Sequence, residues 1–439
     1  MAAGDQHDSL RGVARRFVQF MDGYAPFFRT KTRDGFAVAQ QYLHGLVQAD
    51  RSNMSRMQER VPDSCAQQFQ HFLSNSPWSE RAVLDQVARD ADKLLGGNED
   101  SALLIDETSF IKKGDKSVGV GIQYCGRLGN TANCQVGVVG ALVSQKKAVP
   151  IDCRLFLPRD WSGNEERCVA AGIPQEHIVH KTKTQLAYDI VKTAKENGVR
   201  FGWVGMDAGY AIDPSLFGDL MDLGVNFVID LHKNQRVCTA EPEYKRHRPR
   251  CITVQVLGML HQDKDWIRYS PASGTKGPLN FEYVTFDGWI LTSNKQKGEM
   301  RKVKILIRRS VTDKSDIRYS VVHVNGDVSL EKMARMASAR YWIERVFEDA
   351  KGCLGLTEYQ LRRWRGWHHH MALSCMAHLF LLREKIHNAE EFPLLSVQDV
   401  VVLLAHYLPK RDASEDEIFR QLKARHRLRK HDIDRHRQH

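Results

Sequence analysis

None of the nine cysteines forms a Cys-x-x-Cys pair, which removes the zinc knuckle and the redox dithiol from consideration. An odd cysteine count then predicts free, mostly buried thiols. No apolar run reaches the roughly 18 residues that a membrane span needs. The best, Met371 to Leu382, ends at Arg383 and reads as a buried helix. The N-terminal Met-Ala-Ala-Gly-Asp-Gln-His-Asp is polar and mildly acidic, unlike a signal peptide. These absences predict a cytoplasmic protein with no membrane partner. What the chain has in excess is positive charge: 64 Lys and Arg against 53 Asp and Glu, a net +11 over 439 residues. That balance suits a polyanionic partner, although it also serves plain solubility. A chain of this length buries a large core and is expected to form two or more domains.

The segment Arg340-Tyr-Trp-Ile-Glu344-Arg-Val-Phe-Glu348-Asp-Ala-Lys351 has helical spacing. Residues 340, 344, 348 and 351 fall on one face, while Ile343, Phe347, Ala350 and Leu354 form an apolar stripe on the other. Such a helix presses its stripe on a core and aims an arginine, a carboxylate and a lysine outward. A solvated face with i,i+4 ion pairs has the same pattern. Two further segments bear on the choice. Ser101-Ala-Leu-Leu-Ile-Asp106 reads as a short buried strand ending in an aspartate, and Phe201-Gly-Trp-Val-Gly-Met-Asp207 repeats the design. With 53 acidic residues in the chain, a bare triplet of acids means little. Placement on two strands and a helix is what singles out Asp106, Asp207 and Glu344.

This set resembles the bacterial insertion-sequence transposases of the DDE superfamily, whose catalytic core is ribonuclease-H-like. Their signature reads Tyr, two residues, Arg, three residues, Glu, six residues, Lys. Arg340, Glu344 and Lys351 fit that spacing, while the Tyr position is Ala337, leaving its contribution missing or supplied by Tyr341. Asp106, within Asp106-Glu-Thr-Ser-Phe-Ile-Lys-Lys-Gly114, and Asp207, within Asp207-Ala-Gly-Tyr210, match the first and second aspartates. The likeness runs from about Asp106 to His370 and includes Arg365-Gly-Trp-His-His-His370. Glu348, one turn beyond Glu344, stays open as the third acid.

The resemblance implies metal-dependent phosphoryl transfer on DNA. Asp106, Asp207 and Glu344 would hold two divalent ions, Mg²⁺ or Mn²⁺, since hard oxygen ligands favour these. Arg340 and Lys351 would fix phosphates. It further implies double-stranded DNA as partner, both terminal inverted repeats and target, a homodimer that joins two ends in concert, and residence in the bacterial cytoplasm at the nucleoid.

The fold class expected is α/β, a ribonuclease-H-like mixed-sheet core with a strand-rich insertion and an N-terminal helical domain. Residues 1–95 carry helical periodicity and early basic residues, and resemble a DNA-binding region or a plain helical cap. Strands are expected at 101–106, 117–124, 134–144, 149–158, 201–207 and 226–231, with helices at 182–197 and 213–223, so that 96–231 is the first part of the core. Residues 232–325 read as a β insertion, with strands including Cys251–Leu257, Phe281–Phe286, Trp289–Thr292, Val303–Arg308 and Ile317–Val324. The loop Lys245-Arg-His-Arg-Pro-Arg250 is either a phosphate contact or ordinary surface. Residues 326–385 return to the core with the Glu-bearing helix, and 386–439 form a helical region whose basic tail from Gln421 onward reads as mobile and backbone-binding.

After Lys351, the run Arg362, Arg363, Trp364, Arg365 and Trp367 interleaves cations with indoles, which suits phosphate neutralisation with stacking on unpaired bases, or else core anchoring by the tryptophans. His368, His369 and His370 point about 100° apart on a helix and do not converge on one ion; packing or phosphate contact is expected instead. Three functions remain open: a cut-and-paste transposase, a domesticated nuclease, and a DNA-binding regulator on a dead scaffold. All three acids are present, which argues against the last.

Overall fold

The computed structural model describes residues 8–437 apart from 32, 243–250, 272, 275, 276, 279, 294–298 and 413. The basic loop Lys245–Arg250 lies outside the described residues. The longer helices are α1 Val13–Asp22, α2 Phe36–Gln48, α3 Met54–Arg60, α4 Ala66–Ser74, α5 Glu80–Leu95 and α6 Lys183–Glu196. They continue with α7 Pro214–Asp222, α8 Leu330–Ser338, α9 Tyr341–Cys353, α10 Trp364–His387, α11 Val397–Tyr407 and α12 Glu415–Arg437. Strands β1 Ala102–Ile111, β2 Gly121–Cys125, β3 Asn130–Ser144, β4 Lys147–Leu155, β5 Trp203–Met206 and β6 Phe227–Leu231 precede β7 Arg236–Cys238 and β8 Cys251–Thr253. The last are β9 Ile267–Tyr269, β10 Phe281–Leu291, β11 Met300–Ser310 and β12 Ile317–His323. The chain divides into two compact units, one of Met1–Glu80, Asp349–Leu361 and Arg365–His439, the other of Arg81–Glu348 and Arg362–Trp364.

The first unit is helical among its described residues. Helix α10 is apolar nearly all round and buried from Gly366 to Leu382, as expected of a core helix rather than an amphipathic one. Several of its polar residues are buried with partners, whereas Ser374 Oγ and the His378 ring nitrogens are buried without a hydrogen-bond partner among the described residues. The Glu384 side chain, only 2% exposed, takes Arg16 Nη2 at 2.6 Å, since a lone buried carboxylate is costly. The His369 ring stacks on Trp78 at 3.6 Å and lies 2.8 Å and 3.0 Å from the carbonyls of Leu73 and Trp78. His370 lies 2.9 Å from the Tyr42 hydroxyl and 3.0 Å from the Leu356 carbonyl. The histidine triplet is therefore packing, and its burial leaves no surface for phosphate. Up to Arg437 the tail is helical, as part of α12, and Arg425 pairs with Glu59 at 2.5 Å; a run rich in Arg, Lys and Leu is a good helix former.

The second unit is built on a twelve-stranded sheet. Its order is β2–β3–β1–β5–β6–β12–β11–β10–β7–β8, with β4 also on β3 and β9 on β10. β1, β3 and β4 form an antiparallel meander. β5 and β6 then add to the far side of β1, both parallel to it. The order β4–β3–β1–β5–β6 is ribonuclease-H-like. Helix α6 enters the crossover through a capping box of Thr182 and Gln185, and Asp213 caps α7, where Pro214 sits in the first turn. The strand-rich stretch continues this sheet, since β12 pairs antiparallel with β6.

Three element expectations change. β1 runs on past Asp106 to Ile111, because β3 continues beside it. Residues 281–291 are one strand, and Gly288 stays in register opposite Val303. Only Cys251–Thr253 of the expected strand pairs; Thr253 caps a helix over Val254–Met259. Cys238 and Cys251 sit opposite each other in β7 and β8 and form a disulfide, which corrects the expectation of thiols throughout. A separation of 13 residues gives no local motif, and only the strand register brings the pair together. The other seven cysteines are thiols, five of them buried.

Candidate active site

The site grows from the parallel pairing of β1 and β5, whose last matched residues are Ile105 and Met206. Asp106 and Asp207 come next on each strand and are thereby neighbours. β5 ends at Met206 and the chain turns sharply: the Gly209 N–H donates to Asp207 Oδ1 at 2.9 Å, and the Tyr210 N–H to the Asp207 carbonyl at 3.2 Å. A Cβ at position 209 would stand 3.1 Å from Asp207 Oδ1, so the turn favours glycine.

Burial, and after it the charge of Asp207, push the Asp106 carboxyl up to about 7. The Glu107 N–H, donating to Asp106 Oδ1 at 2.7 Å, and the charge of Arg340 pull the other way without cancelling the rise. Repulsion between two neighbouring carboxylates can be relieved by a proton or by a cation. Glu107, turned to the other face by strand alternation, pairs with Lys183 of α6 at 2.5 Å.

Arg340, immediately before α9, donates from Nη1 to Asp230 Oδ2 on β6 at 2.5 Å, and Asp230 Oδ1 accepts from Ser320 Oγ of β12 at 2.8 Å. The guanidinium also feels the charges of Asp106 and Asp207, and its Nη2 lies 3.9 Å from Glu344 Oε1. Asp230 belongs to no motif in the sequence. Its signal was a single acid within the apolar strand Phe227-Val-Ile-Asp-Leu231.

Helix α9 has the two faces expected: Ile343, Phe347, Ala350 and Leu354 are buried, whereas the Glu344 and Glu348 side chains are 58% and 63% exposed. Glu348 is taken up locally by Arg345 at 2.6 Å, while Glu344 leans toward Arg340. Among the described residues no three acidic, histidine or cysteine groups stand close enough to hold a metal ion. The structure thus brings Asp106 and Asp207 together and leaves Glu344 apart from them. Lys351, two turns along α9, falls in the helical unit.

The basic run after Lys351 separates by residue type. Arg362, Arg363 and Arg365 are exposed. Trp367 is fully buried, and Trp364 is 9% exposed and stacks on His177 at 5.2 Å. Base stacking by these indoles is corrected to core anchoring, because neither ring offers a face to solvent. Arg365 Nη1 donates to the Asn75 carbonyl at 3.0 Å.

The family described as DDE superfamily endonuclease matches residues 24–275, which include both aspartates. The chain belongs to this family. A transposase DDE domain further matches residues 178–380 of this DDE endonuclease, a span that holds Asp207, Asp230, Arg340, Glu344 and Lys351. Its relatives include the probable transposase for insertion sequence element IS701 of Microchaete diplosiphon, 24% identical over 351 residues, or 79% of this chain and 83% of the relative. Two solved structures overlap it loosely, each at 11% identity. A piggyBac transposase synaptic complex with hairpin DNA gives a TM-score of 0.37 over 91% of this chain and 77% of that one. The NurA nuclease from Sulfolobus solfataricus gives 0.26 over 61% and 86%. The chain is a DDE transposase/endonuclease, and no helix among its described residues is long and apolar enough to cross a membrane.

Proposed function

We propose that this DDE enzyme cuts DNA at the ends of a mobile element and joins the freed 3′-hydroxyls to a target, as a cut-and-paste transposase. The observation that carries the reading is the Asp106–Asp207 pair at the end of β5, where burial and mutual repulsion hold one carboxyl up to about 7. Asp106 and Asp207, joined by Glu344, would hold two divalent ions, and their hard oxygen donors would favour Mg²⁺ or Mn²⁺. The cations, once bound, supply activation of an attacking oxygen and charge stabilisation for the departing one. Glu344 is preferred to Glu348 because it shares Arg340 with Asp230, whereas Glu348 is occupied by Arg345. Glu344, exposed on α9, would complete the ligand set beside the pair.

Arg340 offsets the acidic cluster and presents its charge to a phosphate, and Lys351 binds phosphate as a point charge. Arg362, Arg363 and Arg365 neutralise backbone phosphate without reading sequence. The partners are terminal inverted repeats and target DNA at the bacterial nucleoid, and concerted joining of two ends calls for a homodimer.

The test is cleavage of end-bearing DNA with Mg²⁺ or Mn²⁺ by wild type, Asp207→Ala, Glu344→Ala and Glu348→Ala. Loss by roughly three orders of magnitude or more is expected for the first two variants, with DNA binding retained, and little change for the third. Activity that survives Glu344→Ala but dies with Glu348→Ala moves the third ligand one turn along. A wild type that binds ends but never cuts them overturns the reading.

A further inference from the structure

The Asp207-Ala-Gly-Tyr210 turn places one more polar group at the acidic pair. Tyr210 is 3% exposed and its hydroxyl is buried without a hydrogen-bond partner. Buried hydroxyls rarely go unsatisfied, since the lost hydrogen bonds to water are not replaced. The groups around this one are Asp106, Glu107 and Asp207, whose charges the phenol feels. Burial first, and then those three carboxylates, hold the Tyr210 proton on, so the group stays a donor. Thr108, two residues from Asp106 and so on the same face of β1, has a second buried hydroxyl with no partner. The chain therefore keeps hydrogen-bonding capacity beside its two aspartates that its own side chains do not use.

We propose that the Tyr210 hydroxyl is a ligand-facing donor of the Asp106–Asp207 site, placed to hydrogen-bond an oxygen that arrives with the cation or with DNA, either a water or a non-bridging phosphate oxygen. The inference rests on the cation-dependent reading above and adds to it a residue outside the acidic triplet. The 207–210 turn fixes the donor's place: the Tyr210 N–H donates to the Asp207 carbonyl and the Gly209 N–H to its carboxylate, which tie ligand and donor together so that the phenol follows the carboxylate it serves.

The experiment compares wild type, Tyr210→Phe and Asp207→Asn by thermal melting without metal, by Mn²⁺ titration without DNA, and by binding of end DNA in Ca²⁺. Tyr210→Phe is expected to melt at or slightly above wild type in the absence of metal, because it deletes an unsatisfied group. It is also expected to weaken one of the two ligands about tenfold. A drop in Mn²⁺ affinity identifies the oxygen as water; an unchanged Mn²⁺ affinity with weaker DNA binding identifies a phosphate oxygen. The inference is overturned if both affinities are unchanged, or if Tyr210→Phe melts well below wild type, which would show that the hydroxyl has a structural bond. A wild type with no Mn²⁺ response for Asp207→Asn to remove overturns the cation reading itself, and this one with it.

Discussion

Arg340 is held by Asp230, an acid on the strand next to the one that carries Asp207, at 2.5 Å. The arginine of the resembled signature thus has a fixed counter-ion inside the sheet. With the Asp230 and Arg340 side chains only 20% and 25% exposed, the pair is substantially withdrawn from water. Asp230→Ala removes the carboxylate hydrogen-bonded to this largely withdrawn guanidinium, and a loss of about 2–4 kcal/mol in urea unfolding is expected. Ser320→Ala removes one neutral donor to the same carboxylate and is expected to cost about 1 kcal/mol.

The pH dependence follows from the raised Asp106 carboxyl. Its ordinary value is 3.8 and its folded value about 7, so folding takes up a proton between these limits. The contribution to metal-free stability is intact below pH about 4 and is lost as pH rises through about 7. Cations compete with that proton. Mn²⁺ affinity measured by calorimetry is expected to climb between pH 6 and 8 with release of about one proton per site.

Asp207→Asn removes the second-largest cause of the rise in Asp106. At pH 8 without metal this variant is expected to be more stable than wild type by about 1 kcal/mol, seen as a higher melting temperature. The same change abolishes Mn²⁺ binding. Higher stability with lost binding is the mark of a ligand pair under repulsion; a variant that loses both stability and binding would show that Asp207 supports the fold instead.

The basic run offers a contrast between neighbours. Trp367→Ala empties a fully buried position and is expected to destabilise by about 3–5 kcal/mol. Arg362→Ala with Arg363→Ala changes two exposed cations, so melting stays put while the salt dependence of DNA binding flattens by about two phosphate contacts.

Much of this was legible in the sequence because strands and helices advertise their buried faces. The run Ala-Leu-Leu-Ile before Asp106 and Trp-Val-Gly-Met before Asp207 are continuous apolar stretches that only a fully covered sheet accepts, and the stripe Ile343, Phe347, Ala350 fixes the orientation of α9. What the sequence hid depends on pairing across distance. Asp230 looked like a stray acid until β6 was set beside β5 and opposite α9's first residues. Cys238 and Cys251 looked unrelated until β7 and β8 were in register. Trp364 and Trp367 looked like a stacking platform because alternation of Arg and Trp says nothing about which side chain faces inward.

The short β5 has one more consequence. β1 continues five residues past Asp106 while its partner stops one residue short of Asp207, so the ladder with β5 ends at Ile105 whereas the one with β3 runs on to Ile111. Alternate backbone N–H groups there are expected to exchange with deuterium faster than those bonded to β3, and to slow when the neighbouring carboxylates are bridged. The missing end of one strand thus gives the enzyme a built-in gauge of occupancy that can be read amide by amide without any cleavage taking place.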